Sequence, residues 1–447
     1  MDRAAGERRP LEGTRRWWWV ALVLTFGVAT CSDVPTEQAA PEPTGEPAVV
    51  LAPPAGEVDA GGGTVAVDVD VDVASPGPDP TAPPDPDHDA VAPPPPDEPD
   101  PRSFTVAATG DLLIHSPVWG SAAGFAAGSG EDGYDFRPMF EQVAPVLEAA
   151  DLSVCHLEVP LSPDSQALSG FPLFNAPWQL APAVADAGYD TCSTASNHSV
   201  DQGSQGVTAT LDILDDAGLA HAGTARSAEE AETPRLHDAD GVTVGHVAAT
   251  YGLNGLPLPQ PWMVDMLDVE AITANADRAR AAGAEFVIAS LHWGVEYRRE
   301  PTDEQRRVAE ELLSQEAVDL IVGHHAHVVQ PIERVDDRVV VYGLGNFLSN
   351  QSAACCVPAT QDGIIGLIEV AEVAPDEFAV DEVHAVPTWV DRNDGHRIVD
   401  VLTALEHEPE GWRREQLQAS LQRTREALVP GEGDPSSLLS AEDAADR

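Results

Sequence analysis

The chain alternates short apolar runs with longer amphipathic stretches between residue 104 and about residue 391. An apolar run that stops at Gly or at a polar residue predicts a buried strand, and a longer stretch with helical periodicity predicts a helix. The predicted strands cover residues 104–110, 152–155, 190–194, 242–248, 286–291, 320–322 and 339–342, and the predicted helices cover residues 139–150, 182–187, 207–217, 272–282, 304–315 and 413–428. This alternation predicts a layered α/β fold.

Polar side chains that bind metals follow the ends of these predicted strands. The clearest case is LIVGHHAHVVQ (residues 320–330), where the apolar run stops at Gly323 and two histidines follow with one residue between them. In α/β folds, ligands bind at the carboxyl ends of the strands, so these side chains are expected to meet. The strand-end set consists of Asp111, His115, Glu158, Asn197, His198, His292, His325 and His327.

This set combines imidazole nitrogens with carboxylate and amide oxygens. Such a mixture suits Mn, Fe or Zn, because Ca and Mg prefer oxygen ligands alone. The set is large enough for two ions, and hydrolytic two-metal sites clamp the attacking and leaving oxygens between such a pair. Taken singly, the residues have plainer interpretations: Asp111 as a turn residue, Glu158 as a surface charge, and His115 or the His-rich stretch as ordinary loops.

Charge restricts the partners of the protein. The formal net charge is −51, the isoelectric point is about 4.2, and the chain contains no lysine. Nucleic acid is a poor partner for such a chain, because phosphate binding requires a basic face. A polyanionic substrate would also be repelled unless metal ions or local arginines offset the charge.

Residues 1–31 have the features of an export signal. Arg15 and Arg16 precede the apolar residues 17–29, which are too few for a comfortable membrane span. The stretch that ends at Cys31 resembles a bacterial lipobox, in which the cysteine is acylated, although Thr30 stands where Gly, Ala or Ser is usual. We expect an exported lipoprotein on the outer face of the cytoplasmic membrane or in the cell envelope. Cleavage elsewhere and an uncleaved anchor are the alternatives.

Residues 32–102 consist mainly of Pro, Ala, Asp, Glu, Gly and Val. They predict a disordered, acidic, Pro-rich linker, because such a segment cannot bury enough apolar surface to offset its ordering entropy. Val and Asp alternate over residues 64–73, which leaves a strand open there. The predicted folded domain covers residues 103–392, and a charged helical tail covers residues 393–447.

The cysteines beyond Cys31 would lie in an oxidising compartment after export, where disulfides form. Cys155, Cys192, Cys355 and Cys356 allow three complete pairings, and the sequence does not choose between them. Adjacent cysteines rarely pair, because the geometry is strained. A bridge from Cys355 or Cys356 to one of the other two is therefore open.

Seven sequence motifs resemble those of a known family and occur in the same order as in that family. They are ATGDLLIH (108–115), HLEVPLS (156–162), SNHSVDQGSQGV (196–207), HAGT (221–224), SLHWGVEY (290–297), GHHAHVVQPIE (323–333) and YGLGNFLSN (342–350). Residues 104–391 thereby resemble the CapA-type capsule-synthesis (poly-γ-glutamate synthesis) family, which has the metallophosphoesterase-like, calcineurin-type fold. His156 and Ser196 stand where this family usually has Asn, and His324 and Ala326 occupy variable or Pro-favouring positions.

The resemblance implies a metallo-dependent phosphatase-like domain, an α/β layered sandwich of mixed β-sheets flanked by helices, with two divalent metal ions (Mn, Fe or Zn). The implied ligands are Asp111, His115 and His327 for one ion and Asn197, His292 and His325 for the other, with Glu158 as the bridge. His198 would be the general acid that protonates a leaving oxygen, and Asp201 would orient it. The implied cleft residues are Trp293, Glu296, Tyr297 and Asn346. Core packing is the alternative for Trp293.

Three functions follow as hypotheses. The first is a membrane-tethered, metal-dependent hydrolase that makes, anchors or trims an anionic envelope polymer such as poly-γ-glutamate, together with capsule-synthesis machinery. The second is a non-catalytic polymer-binding component of a capsule assembly or export complex, which the acidic composition also suits. The third is a metal-dependent phosphodiesterase or nucleotidase.

Overall fold

A computed structural model describes residues 101–130 and 132–428. The predicted export segment (1–31), residues 32–100 of the predicted linker and residues 429–447 of the predicted tail lie outside the described residues. None of the helices in the described ranges is both long enough and apolar enough to cross a membrane. The lipidation of Cys31 and the boundaries of the predicted domains stay predictions.

The strands, in chain order, are β1 (Ser103–Leu113), β2 (Leu152–Leu157), β3 (Leu161–Ser162), β4 (Ala176–Pro177), β5 (Thr191–Ser193), β6 (Ala220–Ala222), β7 (Arg235–Ala239), β8 (Val242–Thr250), β9 (Phe286–His292), β10 (Leu320–His324), β11 (Ile332–Val335), β12 (Arg338–Val341), β13 (Asn346–Ser349), β14 (Asp362–Ala374), β15 (Glu377–Asp391) and β16 (Arg397–Asp400). The helices are α1 (Ser116–Ser129), α2 (Arg137–Phe140), α3 (Ala144–Glu148), α4 (Leu180–Asp186), α5 (Gly203–Asp216), α6 (Ala228–Glu232), α7 (Val269–Ala281), α8 (Asp303–Leu313), α9 (Val401–His407) and α10 (Trp412–Leu428).

The strands form two mixed sheets. The larger has the order β16-β15-β14-β1-β2-β5-β6, with β13 also paired to β1. Its β1, β2, β5, β6 and β13 pair in parallel, whereas β14, β15 and β16 pair antiparallel. The smaller sheet has the order β11-β12-β10-β9-β8-β7, with a parallel centre and an antiparallel strand at each edge.

The two sheets share an apolar core. One buried cluster contains Val106 and Val154 from the larger sheet together with Val244, Ile288 and Val322 from the smaller one. Alternating apolar positions on facing strands produce such a core when two sheets pack face to face. The predicted α/β sandwich of mixed sheets is thereby confirmed.

Helices cover the outer faces of the sheets, and local sequence sets where some of them begin. α8 starts with a capping box, in which the Thr302 hydroxyl accepts from the Gln305 N–H while the Gln305 side chain accepts from the Thr302 N–H. The side chain of Asp268 caps α7 by accepting from the Ala271 N–H. The buried sides of α7 and α8 pack with strands of the smaller sheet in a second apolar cluster.

The structure assigns the cysteine pairs that the sequence left open. Cys155 and Cys192 form a disulfide, because they are direct register partners on the parallel strands β2 and β5. Cys355 is paired with Cys356, in the turn that follows β13, although adjacent cysteines rarely pair. The alternative bridge between the two regions does not form, because each cysteine already has a nearer partner.

A close approach of two backbones holds β1 against β13. A Cβ added at Gly110 would lie 1.9 Å from the carbonyl oxygen of Gly345, and Gly345 itself has a φ of 75°. Only glycine fits at the first position, and glycine adopts the backbone of the second without strain. This approach brings the end of β1 beside the loop that leads into β13.

We predict that Gly110→Ala lowers the free energy of unfolding by about 1–3 kcal/mol or more, because the methyl group must displace the Gly345 backbone. The control is Gly124→Ala in α1, where an added Cβ meets nothing within 4 Å. That change should be neutral or stabilise by up to about 1 kcal/mol, because Ala is the better helix former. Denaturant unfolding of both variants checks the pair, and equal effects would contradict the role given to Gly110.

Candidate metal centre

Asp111 is the first site residue along the chain, and it lies within β1. It is the register partner of Asn346 on β13 and of His156 on β2, and its N–H donates to the Gly345 carbonyl at 3.0 Å. The parallel strands on both sides therefore fix the backbone that carries this carboxylate.

The two histidines after β10 have backbones in the left-handed region. His325 has a φ of 84° and His327 a φ of 55°, values that residues with a Cβ rarely adopt and that concentrate at functional sites. His327 Nδ1 lies 2.8 Å from Asp111 Oδ2 and 3.1 Å from Asn346 Oδ1. Potential ligand atoms of Asp111, Glu158 and His327 all lie within 4.8 Å of one another, which is close enough to surround one ion.

A second group of predicted ligands meets beside the first. His292 Nε2 lies 3.0 Å from Asn197 Oδ1, and the His292 ring centroid lies 4.7 Å from that of His325. Glu296, His325 and His327 also have ligand atoms within 4.8 Å of one another, which connects the two groups. The predicted ligands of both ions, with the exception of His115, therefore lie in one buried cluster.

A third combination, Asp111 with His156 and His324, also has ligand atoms within 4.8 Å. Both ring nitrogens of His156 already have partners, however: Nδ1 lies 2.7 Å from Ser193 Oγ, and Nε2 lies 2.9 Å from His292 Nδ1. The His156 and His324 rings are stacked with centroids 4.0 Å apart, so their in-plane lone pairs do not converge. This arrangement supports the ligands from behind and is not a third ion site.

The residues present fit divalent cations, because buried atoms of the cluster lack partners. Both carboxylate oxygens of Glu158 and the Nδ1 atom of His325 are buried without a hydrogen bond. Buried polar groups are otherwise nearly always paired, and an unpaired buried carboxylate is especially unfavourable. Carboxylate and imidazole donors of this kind are ligands for Mn, Fe or Zn.

The pKa values of Glu158, Asp111 and His327 indicate that the cluster favours added positive charge. Burial raises the pKa of Glu158 well above its usual range, more strongly than the neighbouring His327 lowers it. Burial acts in the same direction on Asp111, but the nearby His324 imidazole, 3.5 Å away, and the hydrogen-bonded His327 hold the pKa of that carboxyl well below its usual range. Burial opposes protonation of His327, yet the Glu158 and Asp111 carboxylates raise its pKa to about 9.

The other predicted ligand histidines are kept neutral, which is the form that binds metals. Burial, with the nearby imidazoles of His325 and His156, holds the pKa of His292 well below its usual range. Burial also lowers the pKa of His325 to about 3.

His198 and Asp201 form a buried pair next to the cluster. His198 Nδ1 donates to Asp201 Oδ2 at 2.7 Å, and the same oxygen accepts from the Phe174 N–H at 2.6 Å. The Phe174 ring lies edge-on to His198, with centroids 4.7 Å apart. Asp201 therefore fixes the His198 ring and leaves its Nε2 atom as the one available for proton transfer.

The remaining predicted site residues take different places. His115 is in none of the three groups with ligand spacing; its Nδ1 lies 3.0 Å from the Leu113 carbonyl oxygen. Trp293 is 1% exposed and packs in the apolar cluster of α7 and α8, which corresponds to the packing alternative. Tyr297 lies beside His327, with ring centroids 6.2 Å apart, and Asn346 is fully buried below the same imidazole.

Sequence reasoning missed two residues that contact the cluster. The Tyr251 ring lies 4.5 Å from that of His325, and Asn254 contacts both Asn197 and His198. Both follow β8, a strand whose end carries no His, Asp or Glu. The sequence feature that could have indicated them is the position of the segment YGLN (251–254), which follows a predicted strand as the proposed ligands do.

Fold and site together define an α/β sandwich protein with a buried carboxylate–histidine centre suited to divalent ions. Comparison with known families is more specific. The family model described as "Bacterial capsule synthesis protein PGA_cap" matches residues 105–351, and the chain belongs to this family. The predicted resemblance is thereby confirmed.

Two curated relatives come from Bacillus. The chain is 29% identical to the PGA biosynthesis protein CapA of Bacillus subtilis over 219 residues, which are 48% of this chain and 57% of that protein. It is 26% identical to the capsule biosynthesis protein CapA of Bacillus anthracis over 223 residues, 48% of this chain and 54% of that protein. The match therefore spans little more than half the length of either relative.

Solved structures that match this chain include the calcineurin-like phosphoesterase YfkN from Bacillus subtilis. It is 13% identical, with a TM-score of 0.41 over 72% of this chain and 97% of that one. A phosphatase from Mycoplasma pneumoniae is 10% identical, with a TM-score of 0.37 over 64% of this chain and 94% of that one. Similarity at this level carries no weight for activity or substrate.

We predict opposite effects of Glu158→Gln on the metal-free and the metal-loaded protein. Because burial raises the pKa of Glu158, the folded state holds more protons than the unfolded state above the unfolded pKa of about 4.3, and stability falls as the pH rises. Gln removes this dependence, so the variant in chelator should be at least as stable as the unaltered protein, and more so at pH 8 than at pH 5.

With metal added, the unaltered protein should be more stable than Glu158→Gln. A ligand at 100 times its Kd stabilises the folded state by about 2.7 kcal/mol, and the variant should lose most of this gain because it lacks a charged ligand. Thermal unfolding at the two pH values, with chelator and with Mn²⁺ or Zn²⁺, measures both effects. An equal metal-induced gain in both proteins would remove Glu158 from the ligand set.

Proposed function

We propose that the protein is a metal-dependent hydrolase of the cell envelope that acts on an anionic, poly-γ-glutamate-like polymer during its synthesis, anchoring or trimming. One observation carries this proposal: Glu158, with no hydrogen bond to either oxygen, is buried beside Asp111 and His327 at ligand spacing. A protein that used this edge of the fold only for packing would gain stability by replacing such a group with an apolar one.

Asp111, Glu158 and His327 would hold one ion, and Asn197, His292 and His325 would hold the second, with Glu158 shared. Two divalent ions (Mn, Fe or Zn), when bound, would activate water and stabilise the charge that develops on the attacked group. His115 remains a proposed ligand of the first ion, although its Nδ1 contacts the Leu113 carbonyl.

The chain's own residues supply the proton chemistry. The Asp201 carboxylate accepts from His198 Nδ1, so the second proton of a charged imidazole would sit on Nε2 and could be given to a leaving oxygen or nitrogen. Tyr251, which is 44% exposed above His325, and Glu296 would line the cleft that positions the substrate.

The substrate class rests on the relatives. One is described as a PGA biosynthesis protein and another as a capsule biosynthesis protein. A third, from Mycobacterium tuberculosis, is a probable polyglutamine synthesis accessory protein that is 24% identical over 48% of this chain and 60% of its own length. A chain with a net charge of −51 repels such a polymer, and bound cations at the site would offset this locally.

We also propose that the chain is exported and held at the outer face of the cytoplasmic membrane by its N-terminal segment, with Cys31 as the lipidated residue. Arg15, Arg16 and the apolar residues 17–29 support this location. It would place the site where an envelope polymer is exported.

A non-catalytic polymer-binding component of a capsule assembly complex is the second candidate. The acidic composition favours it, because an acidic body suits a scaffold at least as well as an enzyme for polyanions. The two candidates share the fold and differ in whether turnover depends on the proton donor.

We predict that the purified protein holds about two Mn²⁺ or Zn²⁺ ions per chain and that His325→Ala holds fewer. His325 Nδ1 is one of the buried atoms that lack a partner, so its removal takes away a ligand without breaking another hydrogen bond of that atom. Metal analysis after dialysis measures this. A folded protein that retains no metal would rule out the hydrolase and leave the scaffold.

We predict that His198→Ala retains both ions but reduces turnover by about 10²- to 10⁴-fold, the usual contribution of a general acid. The control is His407→Ala, since the His407 side chain is 81% exposed. Poly-γ-glutamate, small γ-glutamyl amides and phosphate esters are the substrates to compare. Turnover of phosphate esters alone would favour a phosphodiesterase, and equal polymer binding without turnover in all variants would favour the scaffold.

A further inference from the structure

The segment after β8, residues 251–254, covers the second group of ligands. The Tyr251 N–H donates to the His292 carbonyl at 2.9 Å, which ties this segment to the end of β9. Leu253 is buried in the core, and its carbonyl accepts from the Leu256 N–H at 2.8 Å. Asn254 is therefore held in a fixed turn, with a φ of 51°.

The Asn254 side chain makes two contacts at the site. Its Oδ1 accepts from Asn197 Nδ2 at 3.3 Å, and its Nδ2 lies 3.4 Å from His198 Nε2. One amide thus touches both a proposed metal ligand and the proposed proton donor. None of the seven sequence motifs includes Asn254.

The contact with Asn197 fixes which end of that amide faces the cluster. An amide has one end that can bind a cation, the oxygen, and one end that repels it, the NH₂ group. Because Asn197 Nδ2 is engaged by Asn254, Asn197 Oδ1 is turned toward His292 Nε2, at 3.0 Å. A half-turn of the side chain would present hydrogens to the ion instead.

We propose that Asn254 is a positioning residue that holds the Asn197 oxygen toward the second ion and sets its distance from His198. This inference rests on the proposed function, since it needs a metal at the cluster. Groups that orient a ligand from outside in this way typically change metal affinity by about 10- to 100-fold when removed.

A purely structural role is the alternative, because Asn is common at positive φ, where its side chain stabilises turns. Two variants separate these roles. Asn254→Gly removes the amide and accepts a φ of 51° without strain, whereas Asn254→Asp keeps an oxygen that accepts from Asn197 but loses the NH₂ group next to His198. Asp240→Gly is the matched control, a change at an exposed turn with a φ of 47°.

The experiment is calorimetric titration of the full chain with Mn²⁺ and with Zn²⁺, with thermal unfolding of each metal-free variant alongside. We expect Asn254→Gly to bind one ion normally and the other about 10- to 100-fold more weakly. Asn254→Asp should bind both at least as tightly as the unaltered protein, because the acceptor for Asn197 Nδ2 is kept and the carboxylate adds a negative charge near the ions, and Asp240→Gly should match the unaltered protein. Where turnover is measurable, Asn254→Asp should lower kcat more than it raises KM, since a charged acceptor replaces the NH₂ group beside His198.

Two results would overturn the inference while the proposed function stands: unaltered binding of both ions by Asn254→Gly, or equal weakening in the Gly and Asp variants. If metal-free Asn254→Gly unfolds at a much lower temperature than Asp240→Gly, the Asn254 side chain has a structural role in the turn. The inference then stands only if Asn254→Asp binds both ions at least as tightly as the unaltered protein. If the unaltered protein binds no metal, the inference and the proposed function fail together.

Discussion

The site depends on the burial of two carboxylates, Asp111 and Glu158, at the ends of neighbouring strands. Buried negative charge is unfavourable unless positive charge or hydrogen bonds compensate for it. Their pKa values move in opposite directions, Asp111 down and Glu158 up, because His327 bonds to Asp111 and His324 lies 3.5 Å from it, while Glu158 has no hydrogen-bond partner. One protonated imidazole is thus shared between two acids. A divalent ion bound between them would supply the missing charge, and neutral histidines are the form of that side chain that binds such ions.

Strand register brings these residues together from distant parts of the chain. Parallel pairing sets Asp111 beside His156 between β1 and β2, and sets His324 beside His292 between β9 and β10. Both sheets therefore end in polar residues at the same edge of the sandwich, which is the edge where α/β folds bind ligands. The close backbone approach at Gly110 and Gly345 adds β13, and with it Asn346, to the floor of the site.

Much of the strand framework could be predicted because buried parallel strands are continuous apolar runs, which differ clearly from amphipathic helices. The long hairpin of β14 and β15 was missed, since charged residues such as Glu369, Glu372 and Glu382 interrupt its apolar runs. α1 was missed because its Gly- and Ala-rich sequence has little amphipathic contrast.

The proposed ligands could be predicted because they follow the ends of predicted strands. Asn254 could not be predicted in this way, because its role depends on the orientation of another side chain. The pairing of Cys155 with Cys192 required the register of β2 and β5, which composition does not contain.

His156 contacts His292, a proposed metal ligand, from a position where the family that the sequence resembles usually has Asn. If His292 Nε2 is to face an ion, its proton lies on Nδ1 and is donated to His156 Nε2. His156 then carries its proton on Nδ1 and donates to Ser193 Oγ, whose hydroxyl is left to donate to the Cys155 carbonyl at 3.4 Å. Each hydrogen bond from His292 through His156 and Ser193 then has one possible donor. The tautomer of His292 is therefore fixed by a chain of hydrogen bonds that ends at the Cys155 carbonyl of β2. The Cys155–Cys192 disulfide joins β2 and β5, the two strands that carry His156 and Ser193, so the covalent and hydrogen-bonded frame of the larger sheet sets the orientation of the proposed ligand His292.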